Sequence, residues 1–128
     1  MAQHLRDEKI SPSLVLCSSA RRTRETLDGV QPGGEVEIED ELYGASENEL
    51  LERLREVPDA TESVMLIGHN PAIQELALSL AGAGGRRADM ERKFPTAALA
   101  TLTVPDHWRE LGPGSAELVA FVTPKELR

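Results

Sequence analysis

Two short stretches carry residues able to handle a phosphoryl group. The first is Cys17-Ser18-Ser19-Ala20-Arg21-Arg22-Thr23-Arg24-Glu25-Thr26, which brings two hydroxyls and several guanidinium groups to the start of a helix-like segment. A guanidinium there offers a planar fork of donors with a permanent charge, matched to two phosphoryl oxygens and to the charge they gain in a transition state. Arg22 is the candidate for that role, with Ser18 as a phosphate-binding partner. The second stretch is Gly68-His69-Asn70-Pro71. A histidine at a strand end can serve the same pocket as a donor or general acid, and Gly68 permits close approach of backbone to ligand. The alternative for Arg21, Arg22 and Arg24 is a solvated helix face paired with Asp28 and other carboxylates.

These residues need elements to hold them. Leu14-Val15-Leu16-Cys17 and Val64-Met65-Leu66-Ile67 are short continuous apolar runs, the pattern of strands covered on both faces. Residues 20–30 read as a helix stopped by Gln31-Pro32-Gly33-Gly34, and Val36-Glu37-Ile38 alternates like a strand. Ser46 and Glu49 fit a capping box opening the helix of Leu50, Leu51 and Leu54. Asn70 and Pro71 read as the N-cap and first residue of a helix over 72–80. Residues 82–92 hold three glycines and several charges without apolar period, so they read as a mobile loop. Segments 97–104 and 117–122 supply two later strands. The alternation of strands and helices predicts a three-layer α/β/α sandwich with a mostly parallel sheet, in one domain spanning 1–128. In such sheets ligands sit beyond the carboxyl ends of the strands, where helix N-termini offer free amides.

At this point a resemblance becomes specific. Ser18 to Thr26 is similar to the Ser-Ser-Pro-x-x-Arg-Ala-x-Gln-Thr segment of the histidine phosphatase superfamily, the phosphoglycerate mutase-like fold. Aligning Thr26 with its closing threonine puts Arg22 at the phosphate-binding arginine. Leu66 to Pro71 resembles the second histidine motif, and Lys93-Phe94-Pro95-Thr96-Ala97-Ala98 resembles a segment of the phosphohistidine phosphatase branch. The resemblance implies a phosphatase. A histidine nucleophile takes the phosphoryl group, arginine and the second histidine neutralise it, and water releases phosphate, with no metal or organic cofactor. The substrate would be a phosphorylated protein or a small phosphate ester. A phosphate-binding or phosphoprotein-binding module without catalysis is the alternative.

The nucleophile itself belongs to an Arg-His-Gly or Arg-His-Ala motif on the superfamily's first strand, in the middle of the sheet, and this sequence has no Arg-His pair. The expectation is therefore a fold missing its first, central strand, N-terminally truncated, with two open strand edges. Four or five buried aliphatic side chains in such a strand represent about 6 to 15 kcal/mol, comparable with a whole domain's stability. A longer working protein that carries the strand is thus expected. His4, on a helical opening segment, and His107, in the turn Pro105-Asp106-His107-Trp108, read as structural rather than as substitute nucleophiles. A cysteine phosphatase loop would need arginine where Thr23 stands, so Cys17 reads as a buried strand residue. Glu41 and Glu47 are the nearest general-acid candidates, and both read as surface charge.

Composition narrows the classes further. The chain has 128 residues, 40% hydrophobic and 28% charged, enough for a core built from aliphatics because aromatics are only 3%. A formal charge of -8 opposes binding to nucleic acid or anionic lipid. One cysteine permits no intrachain disulfide and no cysteine-built zinc site. No apolar run approaches the roughly 18 to 20 residues of a membrane span, and no secretory leader follows Met1, so a cytoplasmic setting is expected. Arg86, Arg87, Arg92 and Lys93 form a basic stretch that could close over a phosphorylated partner; the alternative is a solvated run. Gly82-Ala83-Gly84-Gly85 lacks the Lys-Ser or Lys-Thr of a nucleotide P-loop.

Overall fold

The computed structural model describes residues 1–82 and 86–127. Its first sheet has three parallel strands in the order β2-β1-β3, where β1 is Leu14–Ser18, β2 is Glu35–Glu39 and β3 is Val64–Ile67. A second sheet pairs β4, Leu99–Thr103, antiparallel with β5, Glu117–Val122, through a register irregularity between Thr101 and Leu102. Helices cover both faces of the parallel sheet, which makes the fold the expected α/β sandwich. The helices are α1 (Ala2–Asp7), α2 (Arg21–Val30), α3 (Glu47–Arg55), α4 (Ala72–Leu80) and α5 (Arg87–Arg92).

β1 is buried at every residue, and its alternation assigns the layers. Leu14 and Leu16 point toward α3 and α4, where they join Leu50, Leu51, Leu54, Leu76 and Leu80 in the main core. Val15 and Cys17 point the other way, against Ile67 and Leu27 of α2. An apolar residue at every position is what a strand covered on both faces requires. Trp108 and Phe121 are also buried, so the core is less purely aliphatic than composition suggests. A smaller cluster lies under the antiparallel pair, with Met90, Ala77, Ala81 and Phe121 at its centre. Leu102 packs against both clusters, and a parallel bridge from Ala81 to Ala116 joins the two parts of the backbone.

Several local expectations hold. The opening segment that holds His4 is a helix, α1, with Leu5 its buried residue. Ser46 accepts from the Glu49 amide and Glu49 accepts from the Ser46 amide, completing the capping box. Gly34 has φ +76°, and a Cβ there would lie 2.2 Å from the Pro12 carbonyl oxygen, so only glycine lets the chain enter β2 at this point.

Others change. The segment read as a mobile loop over 82–92 contains helix α5, anchored by Met90, which is completely buried. One apolar anchor in two turns leaves no period to detect; residues 83–85 of that reading lie outside the described residues. Asn70 does not cap α4. The N-cap is Pro71, without a side-chain cap bond, because Asn70 stands a residue too early and its amide is used elsewhere. The strand expected from Ala97 begins at Leu99, after Ala97 takes φ +64°. Among the described residues β3 pairs only with β1 and β4 only with β5, so each presents an unpaired edge. These edges separate the parallel from the antiparallel strands.

Arg53 of α3 locks the outer strand. It donates from Nε and Nη2 to both oxygens of Glu39, at 2.7 and 2.8 Å, and from Nη2 to Glu37 at 3.2 Å. The Arg53 hydrogen bonds hold the Glu39 carboxyl below the usual glutamate range, against partial burial that would raise it. A depressed carboxylate stabilises the fold fully above its unfolded value, about 4.3, and loses that contribution as pH falls toward the folded value. Glu39→Gln is therefore expected to lower the urea unfolding midpoint at pH 7 by the equivalent of about 1–2 kcal/mol. The difference from wild type should shrink as the titration is repeated below pH ~5.

Candidate active site

The carboxyl end of β1 runs straight into α2, and the turn between them is held by hydroxyls. Ser18 is fully buried; its Oγ accepts from the Ala20 amide at 3.2 Å. Thr23, 3% exposed, donates from Oγ1 to the carbonyls of Ser18 and Ala20, both at 2.8 Å. The Ser19 amide donates to the Glu39 carbonyl at 3.3 Å, tying the same turn to the end of β2. Residue Ala20 caps α2 without a side-chain bond, and the first intrahelical amide bond is from Arg24 to Ala20. The amides of Arg21, Arg22 and Thr23 are thus left at the helix N-terminus to meet an anion.

Arg22 sits in that first turn with an exposed side chain and makes no ion pair among the described residues. Its neighbour Arg21 pairs loosely with Glu25, at 3.7 Å on an exposed face. β1 and β3 are in parallel register with Cys17 beside Ile67. The residues that follow, Ser18-Ser19 on one side and Gly68-His69 on the other, therefore leave the sheet side by side at one edge. His69 is half-buried, and its carbonyl receives the Ile73 amide at 3.0 Å. The structure thus brings Ser18, Arg22 and His69 to one end of the parallel sheet.

Gly68 has a structural explanation that does not involve a ligand. A Cβ there would lie 3.0 Å from the Ile73 side chain, so its bareness lets α4 fold back on the end of β3.

No protein-family model matches the chain. An uncharacterized protein of Mycobacterium tuberculosis is 36% identical over 115 residues, covering 87% of this chain and 73% of the relative. A structure from Nakamurella multipartitia, provisionally assigned as phosphohistidine phosphatase SixA, superimposes with a TM-score of 0.86 at 29% identity, covering 96% of this chain and 77% of that one. One from Agrobacterium tumefaciens with the same provisional assignment gives 0.78 at 29% identity, over 96% and 75%. The likeness extends over nearly the whole chain. The chain belongs to the histidine phosphatase superfamily.

The second strand end is tied to the antiparallel side by two amide side chains, four residues apart in sequence. Asn70 Nδ2 donates to the Phe94 carbonyl at 2.6 Å. Gln74 Nε2 donates to the carbonyls of Met90 and Glu91 at 2.9 and 3.2 Å. Phe94 in turn stacks on Phe121, with centroids 5.4 Å apart. The segment Lys93 to Ala98 is thereby fastened beside His69. Sequence reasoning read Asn70 as a helix cap and gave Gln74 no role; both partners lie some 16 to 24 residues along the chain, where local pattern carries no signal.

The remaining candidates lie elsewhere or are already engaged. His107 pairs through Nδ1 with Asp59 at 2.9 Å, and Trp108 Nε1 donates to Thr61. Asp59 and Thr61 precede β3, so His107 belongs to the opposite pole from His69. His4 is half-buried on α1. Burial raises the Cys17 thiol, keeping it protonated and unreactive. Glu41 lines a groove of about 330 Å³ with Glu49, Glu52, Arg53 and Glu56. Ser18, Arg22 and His69 do not line it, so volume and chemistry point to different places; the strand ends carry the chemistry. Glu47 is the half-buried first residue of α3.

The basic stretch is largely neutralised within the fold. Arg86 donates to Glu126 at 2.8 and 3.1 Å, to Asp89 at 3.1 Å and to the Phe121 carbonyl, and lies over the Phe121 ring. Its hydrogen bonds hold the carboxyls of Glu126 and Asp89 below their ordinary range. Arg87 donates to Leu78 O and Glu91, and Arg92 to Asp89. The stretch, read either as a closure over a partner or as a solvated run, is thus a set of internal ties, with Lys93 the exposed cation that remains. Among the described residues no cluster of three or more His, Cys, Asp or Glu could hold a metal.

Removing the Asn70 tie frees the 93–98 segment from the His69 turn. Asn70→Ala is expected to cost about 1–2 kcal/mol of stability, read as a lower thermal midpoint. It should also make the amides of Phe94 to Ala98 exchange faster with solvent, while those of β1 keep their protection.

Proposed function

We propose that the working protein is a phosphohistidine phosphatase-type phosphomonoesterase, acting on phosphorylated protein histidine or a small phosphate ester. The observation that carries this reading is the convergence of the α2 N-terminus, Arg22 and His69 at one end of a parallel sheet. The phosphoryl group would rest at the free amides of α2, bound by the Arg22 guanidinium, with His69 donating to an oxygen from the β3 side. Ser18 is buried and already accepts from Ala20, so it would act by fixing the turn that aims these amides.

A histidine nucleophile is the part this sequence does not contain. We infer that it enters on a strand lying between the unpaired edges of β3 and β4, beside His69. Its imidazole nitrogen would attack phosphorus as the bond to the substrate's leaving nitrogen or oxygen breaks. Water would then attack the phosphoenzyme, breaking the new N–P bond and releasing phosphate. A protonated imidazole leaves readily, so a strong carboxylic acid is not needed for a phosphohistidine substrate, and neither Glu41 nor Glu47 is required. No metal or organic cofactor is part of this chemistry. The net charge of -8 opposes nucleic acid or an anionic membrane surface as partner, leaving a phosphorylated protein or small ester as substrate. A cytoplasmic setting is part of the proposal, resting on the lone buried cysteine.

A second reading, a phosphate- or phosphoprotein-binding module without catalysis, is favoured by one specific observation. The other two histidines, His4 and His107, lie on α1 and at the opposite pole, not beside His69. Rapid-quench labelling of the protein purified at its natural length separates the two. The phosphatase reading expects acid-labile label on a histidine and release of inorganic phosphate, with Arg22→Ala lowering turnover at least about a hundredfold. Phosphate binding without a labelled histidine would establish the binding module, and near-normal turnover in Arg22→Ala would remove Arg22 from the phosphate site.

A further inference from the structure

Among the described residues β2 pairs with β1 alone. Its inward ladder opens with the Glu35 amide on the Ser13 carbonyl and closes with the Ser19 amide on the Glu39 carbonyl. Alternate residues of a strand turn both backbone groups to the same side. Glu35, Glu37 and Glu39 therefore face β1, and the N–H and C=O groups of Val36 and Ile38 face outward. These two residues also have the exposed apolar side chains of the strand, 43% and 50% accessible. They stand beside Val15 and Cys17, on the face whose buried cluster packs against Leu27 of α2.

Natural edge strands are usually blunted by a bulge, a proline or an inward-pointing charge. β2 has none of these on its Val36 and Ile38 face; its five pairs with β1 run without a register shift. The other face is acidic. Glu39 is taken by Arg53 and Glu37 is reached by it, whereas Glu35 is exposed. A second copy of the chain would bring like charges together across the edge, because both strands would carry Glu35 and Glu37 and both chains a net -8.

We propose that the free edge of β2 receives an extended segment of a partner protein. That segment has apolar side chains at every second position, covering Val36 and Ile38, and Lys or Arg at the positions between, meeting Glu35 and Glu37. Backbone bonds to Val36 and Ile38 supply affinity, and the alternation of charge and apolar side chains supplies specificity. The proposal stands independently of the phosphatase reading, since β2 lies across β1 from the His69 turn.

The test is a titration of the full-length protein with a capped synthetic peptide of alternating lysine and valine, followed by amide NMR. Binding should shift the Val36 and Ile38 amides. Affinity should fall at least about tenfold when the peptide's pairing nitrogens are methylated, and by a similar factor in Glu35→Lys. Three results would each overturn the proposal: no binding at millimolar peptide, binding indifferent to N-methylation, or shifts confined to other strands. Self-association through β2 in the absence of peptide would overturn it as well, by making a second copy the occupant.

Discussion

The burial of β1 on both faces and along both edges is the constraint from which the rest follows. Leu14 to Ser18 are all sequestered, so every backbone group of the strand must find a partner in β2 or β3. Its side chains must alternate between the α2 layer and the α3–α4 layer. This double demand fixes the parallel register, and the register in turn decides which residues leave the sheet together. Cys17 beside Ile67 leaves Ser18-Ser19 and Gly68-His69 no choice but to share an edge. The candidate site is thus a consequence of strand pairing, sharpened by the Thr23 and Ser18 hydroxyls that hold the entrance to α2.

What could be read in the sequence was local. An apolar run without alternation announces a strand covered twice, a serine three residues before a glutamate announces a capped helix, and Gln-Pro-Gly-Gly announces a stop. The elements carrying Arg22 and His69 were legible on those grounds, as was the α/β architecture. The features that escaped depend on partners distant in the chain. Asn70 looks like a cap because cap residues bond nearby amides, yet its amide reaches a carbonyl of Phe94. Arg86 looks like free charge until Glu126 and Phe121 are brought to it. Helix α5 has one buried anchor, Met90, too few to leave a periodic trace.

Charge shows the same division. The acidic composition is visible at once, but its use is not. Arg53 draws Glu39 and Glu37 into the fold, and the basic residues of α5 are answered by Asp89, Glu91 and Glu126. Arg22 and Arg24, at the start of α2, have no such answer among the described residues. A permanent charge held in solvent at a helix N-terminus is the electrostatic condition for binding an anion rather than for stabilising the protein.

At the amino ends of the strands, the Ser13 and Leu14 amides donate to the hydroxyl and carbonyl of Ser63 at 2.9 and 3.1 Å, closing that pole independently of the other. The parallel sheet therefore acts as a ruler with its zero mark clamped. Insertions or deletions in the turns at this pole leave the spacing between Arg22 and His69 unchanged, whereas a single residue added within β1 or β3 displaces one half of the site against the other. Divergence in loop length among descendants of this chain has an outlet where it does no chemical harm.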